Sequence, residues 1–505
     1  MSDNSASTAV ALEPEDDWTS LYIDGERDAD GETLPVANPA TREVFAEVPR
    51  GTTDDVDEAY ETAARAQSDW ADRSPAERAE IVSRAVDVMR EHREEIVDLL
   101  AVEAGSSQVK GQVEFQSAAG ITSEAASFPN RMGGDYKDSN VAGKDNIVKR
   151  EPMGVVGVIS PWNFPLHLSI RAVAPALATG NSVVLKPASN TPITGGLLVA
   201  RLFEAAGLPD GVLNVVTGEG SEIGDRMAGH PEADVVAFTG STPVGRQVAK
   251  QAVDNLALPA MELGGNGPHI VLEDADVDQA VEAGAFGTFL HQGQICISIN
   301  RHLVHESIYD EYVEQLAEKA ASLPIGDPRD EESVIGPIID ESQRDEMLGY
   351  VGETVDAGAT LETGGDSVVP DGIDVDDADS LFVEPTVLSD ATNEMAAACN
   401  EHFGPIAPVI PFSDDDEAVE LANDTEYGLA ASVFSADRER AETVADGIDA
   451  GMVHVNDMPV NDEPHVPFGG MKASGIGRFN GEHVLEEFTQ PKWISVQRDP
   501  RDYPF

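Results

Sequence analysis

Five short apolar runs, at residues 155–159, 182–185, 211–216, 234–238 and 258–263, alternate with helical runs beginning near Leu166, Thr191, Ser221 and Thr242. This alternation constrains the fold more than any other feature of the chain. The runs are dominated by Val, Leu and other apolar residues, so both faces of each strand need cover, and a parallel sheet between two layers of helices supplies it. In such a sheet ligands gather at the carboxyl ends of the strands. A second series follows Gly265, with strands expected at 270–272, 302–305, near Val383, and at 406–412, 432–434 and 453–456, and with helices from Val277 and over 309–321. Two α/β domains suit a chain of 505 residues, which exceeds the size at which one core keeps growing.

Ahead of the first series the pattern is different. Residues 1–20 are expected to be disordered, followed by short strands at 21–24, around Val36 and at 44–48, with turns at Gly25, Gly31 and Asn38-Pro39. Helices are expected over 54–69 and 74–102. Ser74-Pro75-Ala76-Glu77 supplies the second with an N-cap hydroxyl, a proline at its first position and an acid at its third. The acidic stretch 366–379 reads as a solvated loop.

Ninety-three acidic residues against thirty-two basic ones give a net charge of −61. Such a field repels nucleic acid and anionic membrane, so neither is an expected partner. No apolar run is long enough to cross a bilayer. Two cysteines, Cys296 and Cys399, cannot build a disulfide framework, and the first eighteen residues carry no basic or apolar targeting segment; a reducing cytoplasm is the expected setting.

Cys296 lies in His-Gln-Gly-Gln-Ile-Cys-Ile-Ser, after an apolar segment over 284–290 that reads as a buried helix running into a turn at Gly293. An isolated cysteine is more often an inert small hydrophobe than a nucleophile. Its candidate partners sit where strands end. Asn163, in Ser160-Pro161-Trp162-Asn163-Phe164-Pro165, is an amide donor on a stiff loop, suited to an oxyanion or to capping the next helix. Glu262, in Met261-Glu262-Leu263-Gly264-Gly265, is either a desolvated general base or a buried acid paired with a cation. Lys186-Pro187-Ala188-Ser189 places an ammonium and a hydroxyl where a dinucleotide ribose would lie, or is an ordinary surface lysine. Gly240-Ser241-Thr242-Pro243-Val244-Gly245 opens a helix whose free N–H groups attract phosphate, but Arg246-Gln247 stands where a Walker loop needs Lys and Ser or Thr. Gly218, Gly220 and Gly224 approximate a dinucleotide fingerprint one residue too long. Cys399 with His402 is too sparse for zinc, and no metal site is expected.

Asn163, Glu262 and Cys296, in this order and at separations of 99 and 34 residues, resemble the aldehyde dehydrogenase superfamily from about Leu21 to Trp493. The resemblance implies an α/β fold with a Rossmann-like cofactor domain (1–130 and 151–264), a second α/β catalytic domain (265–485) and a small β oligomerisation element (131–150 and 486–505). It implies that Cys296 attacks an aldehyde, that Asn163 and the Cys296 N–H hold the oxyanion, and that Glu262 activates the water that hydrolyses the thioester. NAD or NADP is then held by Ile159, Ser160, Pro161, Trp162, Lys186, Ser189, Gly220, Gly224, Phe238, Gly240, Ser241, Leu263, Glu401 and Phe403. Ser189 stands where many NAD-preferring members carry Glu, which makes NADP plausible, and Phe479 replaces a second Glu found in some members. A homodimer or homotetramer is implied.

The leading reading is oxidation of an aldehyde to a carboxylic acid, with a CoA-acylating enzyme or a catalytically retired binding homologue as alternatives. Leu166, His167, Phe164, Ile295, Ile297 and Met458 are expected to border an apolar tunnel, and 161–196 resembles members that act on aromatic aldehydes. The acids are spread along the whole chain, as in a protein adapted to a high-salt cytoplasm. Molar salt shortens the Debye length to about 3 Å and removes most of the self-repulsion. The melting temperature and activity are therefore expected to rise steeply from dilute buffer to molar KCl; full stability and activity in dilute buffer would contradict this.

Overall fold

The computed structural model describes residues 18–28 and 31–505, and the expected disorder of residues 1–17 lies outside them. Trp18 is already ordered, buried beneath the Arg201 guanidinium at 3.6 Å. Residues 18–20 are therefore not disordered as expected, because the stacked indole anchors the chain there to the first core.

Five parallel strands form the middle of the first sheet, in the spatial order Leu213–Val215, Ser182–Lys186, Val155–Ile159, Val235–Thr239 and Leu258–Glu262. Their side chains alternate between two cores, which is why the strands are apolar throughout. Val156, Val158, Val183 and Leu185 face one, beneath helices that include Pro75–Glu91, Gln108–Ala125 and Pro165–Ala178. Val155, Val184, Val236 and Phe238 face the other, beneath Thr53–Ala71, Gly220–Ala228 and Thr242–Asp254. From Val155–Ile159 the chain first builds the sheet to one side and then crosses to Val235–Thr239 on the other. The loops leaving these two neighbours diverge and open a crevice at the carboxyl edge.

The second sheet runs Thr360–Thr363, Thr386–Ser389, Ile406–Phe412, Ile299–His305, Gly267–Val271, Ala430–Phe434 and Met452–Val455. All its pairs are parallel except the first. Asp135–Asp138, Lys144–Pro152 and Thr489–Gln497 form a separate antiparallel sheet, with Tyr136 and Trp493 exposed. No helix among the described residues is long and apolar enough to cross a membrane.

Several expected boundaries move. The helix over 74–102 is two, Pro75–Glu91 and Arg93–Ala104, because His92 leaves helical geometry at φ −109° and ψ 24°. Its predicted start is as read: Ser74 Oγ accepts from Glu77 N at 3.3 Å, and the Glu77 carboxylate accepts from Ser74 N at 2.9 Å. Phe382–Val383 pairs with Ser367–Val368 in a small ribbon, so the acidic insertion is not all loop, and the sheet strand is Thr386–Ser389. The limit at residue 485 falls within helix Val484–Phe488, which packs into the first core. The chain has already returned there at Gly475–Ile476, which adds an antiparallel strand beside Leu258–Glu262.

The two large sheets meet at Gly264 and Gly265, the residues that leave the last parallel strand of the first. A Cβ on Gly265 would lie 2.2 Å from the Cys296 carbonyl oxygen, and one on Gly264 would lie 2.2 Å from Glu401 Oε2. Only a bare backbone admits this approach. Overpacking such a seam costs about 1–3 kcal/mol, whereas Gly224, in a helix, would direct a Cβ into open space. Gly265→Ala is expected to lower unfolding free energy by about that amount and Gly224→Ala to leave it equal or slightly higher, measured by denaturant unfolding in molar salt. Equal effects at the two positions would contradict the seam.

Candidate active site

Helix Val277–Phe289 is followed, after Leu290, by three successive left-handed residues, His291 at φ 50°, Gln292 at φ 57° and Gly293 at φ 72°. Each non-glycine residue held there costs about 1–2 kcal/mol, so the surroundings must over-determine the turn. Gln292 Nε2 donates to Pro337 O at 2.7 Å, and Gln294 Oε1 accepts from Ile339 N at 3.0 Å. At Gly293 a Cβ would lie 2.1 Å from Gly404 O. The turn delivers Cys296, half-buried, and no hydrogen bond among the described residues uses its N–H.

Asn163 reaches the same turn from the other domain, its Nδ2 donating to Gln294 O at 2.8 Å. That bond takes one amide proton and leaves the second. The loop is fixed from behind by the buried ion pair of Lys110 and Glu114. Glu114 Oε1 accepts from Leu166 N at 2.9 Å and His167 N at 3.2 Å, capping helix Pro165–Ala178, while Lys110 Nζ lies 4.4 Å from the centre of the Phe164 ring. In sequence both ions resemble ordinary polar positions of a surface helix.

Cys296 lies where two cavities meet. On one side is a cleft of about 340 Å³ whose walls include Pro161, Trp162, Gly240, Ser241, Leu263, Glu401 and Phe403. Trp162 and Phe403 meet edge to face at 5.5 Å. On the other side is a tunnel walled by Phe164, Leu168, Ile295, Ile297, Val460 and Phe468, with His167, Arg171 and Asp462 also in its lining. Two expected tunnel residues are elsewhere. Leu166 is fully buried in the first core, two positions from Leu168 on the same helix, and Met458 packs against Gly287. A larger hollow of about 420 Å³, around Arg50, Thr52 and Glu222, is lined by none of these residues.

Glu262 ends its strand 2% exposed, and neither carboxylate oxygen has a hydrogen-bond partner among the described residues. It is not the ion-paired acid that the sequence left open. Burial pushes its pKa up to about 8 against the pull of Arg171 and Arg478. Burial likewise pushes the Cys296 thiol up to about 12, opposed by Arg171. Glu401, which accepts from Gly265 N at 2.9 Å, is raised to about 7 by burial. All three groups are thus held towards their protonated forms by lack of water.

The remaining expected cofactor residues lie along the carboxyl edge. Ile159 pairs in register with Lys186 and with Phe238. Lys186 is not a surface lysine: it is buried, with Nζ donating to Pro187 O at 2.9 Å, and burial lowers its pKa to about 8. The Phe238 ring turns into the core below Gly240, so its side chain does not line the cleft; strand alternation decides this. Ser160 is buried and accepts from Ser169 Oγ at 2.7 Å, and Ser189 is half-buried outside the cleft lining. Gly220 and Gly224 face open space, and helix Thr242–Asp254 starts at Ser241 with no side-chain cap, leaving N–H groups beside the cleft. Sequence reasoning missed Gln343, Glu346 and Tyr350 of helix Glu341–Asp356, and Tyr427, which complete the cleft. It also missed Arg171 and Asp462, which are 291 residues apart and hydrogen-bonded at 3.1 Å.

Comparison with known proteins agrees with this geometry. The aldehyde dehydrogenase family pattern matches residues 26–494. A vanillin dehydrogenase from Corynebacterium glutamicum is 49% identical, over 91% of this chain and 93% of its own. A benzaldehyde dehydrogenase from Pseudomonas putida, described as using NAD+, is 43% identical over 95% of this chain and 96% of its own. The crystal structure of betaine aldehyde dehydrogenase from Staphylococcus aureus with NAD+ superposes with a TM-score of 0.92 at 36% identity, covering 96% of this chain and 95% of that one. An NADP-dependent enzyme from E. coli superposes with a TM-score of 0.91 at 35% identity, covering 95% and 98%. With its fold matched over nearly the whole length and its sequence close to several members, the chain belongs to the aldehyde dehydrogenase family.

Proposed function

We propose that the protein oxidises an aromatic aldehyde to the carboxylic acid through a thioester on Cys296, with NAD+ or NADP+ as hydride acceptor. The observation that carries this reading is the position of Cys296, the thiol shared by a polar-rimmed cleft and an apolar tunnel. The uncapped helix at Ser241 and the open faces of Gly220 and Gly224 fit the phosphates of a dinucleotide, and Glu401 offers an acceptor for a ribose hydroxyl. Ser189 adds no carboxylate that would repel a 2′-phosphate, which supports use of NADP+ as well as NAD+. The relatives named for vanillin and benzaldehyde, and the Phe164, Phe468, Ile295 and Ile297 walls, support an aromatic substrate.

In the first half-reaction Cys296 gives up its thiol proton to solvent and Sγ bonds to the aldehyde carbon. The carbonyl oxygen becomes an oxyanion, held by the second Nδ2 proton of Asn163 and the Cys296 N–H. One aimed donor of this kind is worth about 10²–10³ in rate. Bound in the cleft, the oxidised nicotinamide supplies an acceptor for the hydride that leaves the same carbon, and a thioester remains on sulfur. In the second half-reaction Glu262 takes a proton from water, the oxygen attacks the thioester, and the C–S bond breaks to release the acid. The apolar wall around Cys296 shields the thioester from unactivated water until then. The exposed three-stranded sheet is the surface expected to pair subunits into a dimer or tetramer.

A base works without its proton, and burial moves the midpoint of Glu262 from the ordinary 4.5 to about 8. Turnover is therefore expected to rise with pH to a plateau above about 8. Glu262→Gln should lower kcat about 10²–10⁴-fold and remove that rise, and Cys296→Ala should abolish turnover. Absorbance of the reduced cofactor in molar salt, with benzaldehyde and each of NAD+ and NADP+, measures all three. A folded wild type silent with every aromatic aldehyde, or a pH rise unchanged in Glu262→Gln, would overturn the reading.

A further inference from the structure

Two residues that line the tunnel each bury a polar atom with no hydrogen-bond partner among the described residues, Arg171 Nη2 and His167 Nδ1. Arg171 is 2% exposed and His167 4%. They stand four residues apart on helix Pro165–Ala178 and converge on one carboxylate oxygen: His167 Nε2 lies 2.8 Å from Asp462 Oδ2, and Arg171 Nη1 donates to the same atom at 3.1 Å. Asn480 Nδ2 donates to the other oxygen. The guanidinium is clamped, stacked 4.0 Å from the centre of the Phe468 ring with Phe479 at 5.9 Å, and neither ring offers it an acceptor.

Burying a polar atom unpaired costs free energy, so two of them in one lining wall mark a place where something else is to be bound. Their chemistry is complementary. Arg171 Nη2 can only donate. Asp462 accepts, so His167 Nε2 carries a ring proton, and in the neutral imidazole Nδ1 is then an acceptor. A hydroxyl is the small group that satisfies a donor and an acceptor together; an ether satisfies only the donor and a methyl neither. The Arg171 charge is already balanced by Asp462, which favours a neutral partner over a second carboxylate. A cationic aldehyde would meet the guanidinium.

We propose that Arg171 and His167 form a hydroxyl-recognition site in the tunnel, which selects aromatic aldehydes carrying a ring hydroxyl. This rests on the aromatic-aldehyde oxidation proposed above and names its substrate more closely. A site built to hydrogen-bond a substrate hydroxyl discriminates strongly against an analogue lacking it, because its own polar atoms are then left unpaired.

The test compares kcat/KM for the ortho, meta and para hydroxybenzaldehydes with the methylbenzaldehydes of matching position, in wild type, Arg171→Lys and His167→Phe. Wild type should prefer the hydroxyl over the methyl by about tenfold or more in at least one position. Both variants should bring that ratio towards one, and comparing ratios cancels the substituents' effect on the carbonyl. A wild-type enzyme that oxidises both series equally well at every position would overturn the proposal without any variant, and so would variants that lose both substrates in the same proportion. Failure to oxidise any member of either series would instead count against the aromatic-aldehyde reading beneath it.

Discussion

The close approach of Gly265 to the Cys296 carbonyl oxygen, which leaves no room for a Cβ, is the constraint on which the site depends. It brings the last parallel strand of one sheet against the turn that carries Cys296 at a separation that no side chain tolerates. The same two-glycine step lets Glu401 accept from Gly265 N, while Glu262, three residues before Gly265, is buried with both oxygens unpartnered. Asn163 closes the arrangement from the first domain by bonding to Gln294 O. A displacement of about 1 Å at such a site can cost about 10²-fold in rate, which is why backbone contacts, and not long side chains, set the spacing.

The site stores unfavourable terms that the rest of the fold outweighs. Three consecutive left-handed residues lie ahead of Cys296, a buried carboxyl lacks partners, and the thiol sits where water is scarce. Desolvation holds the Cys296 thiol towards its protonated form and moves the Glu262 midpoint up to about 8. Arg171 is the cation that opposes burial at both groups, and its own position is fixed by Asp462 and two aromatic rings. One clamped guanidinium thereby joins the electrostatics of the thiol to the wall of the tunnel.

Much of this was legible in the sequence where the signal was local. Unbroken apolar strands identified the first sheet, the Ser74 capping box marked a helix start, and Asn163, Glu262 and Cys296 each followed a recognisable element. What stayed hidden depends on long-range packing. Nothing near Trp18 announced its stack on Arg201, and the return of Gly475–Ile476 to the first sheet has too short an apolar run to be noticed. Leu166 and Leu168 differ by two positions on one helix, so the tunnel wall turns on rotation that a resemblance does not fix. Phe238 follows strand alternation into the core, while Lys186 is drawn to its neighbour's carbonyl. The His167, Arg171 and Asp462 cluster joins a helix to a polar loop far along the chain, and charge pattern alone gives no hint of the pairing.

The most direct test of the account is intact-protein and peptide mass spectrometry of Glu262→Gln, mixed with an aromatic aldehyde and oxidised cofactor in molar salt. The account predicts that one aroyl group accumulates on the peptide containing Cys296, matched by one equivalent of reduced cofactor, and that neither appears in Cys296→Ala. Reduced cofactor formed without an aroyl adduct, or an adduct on Cys399 in place of Cys296, would contradict it.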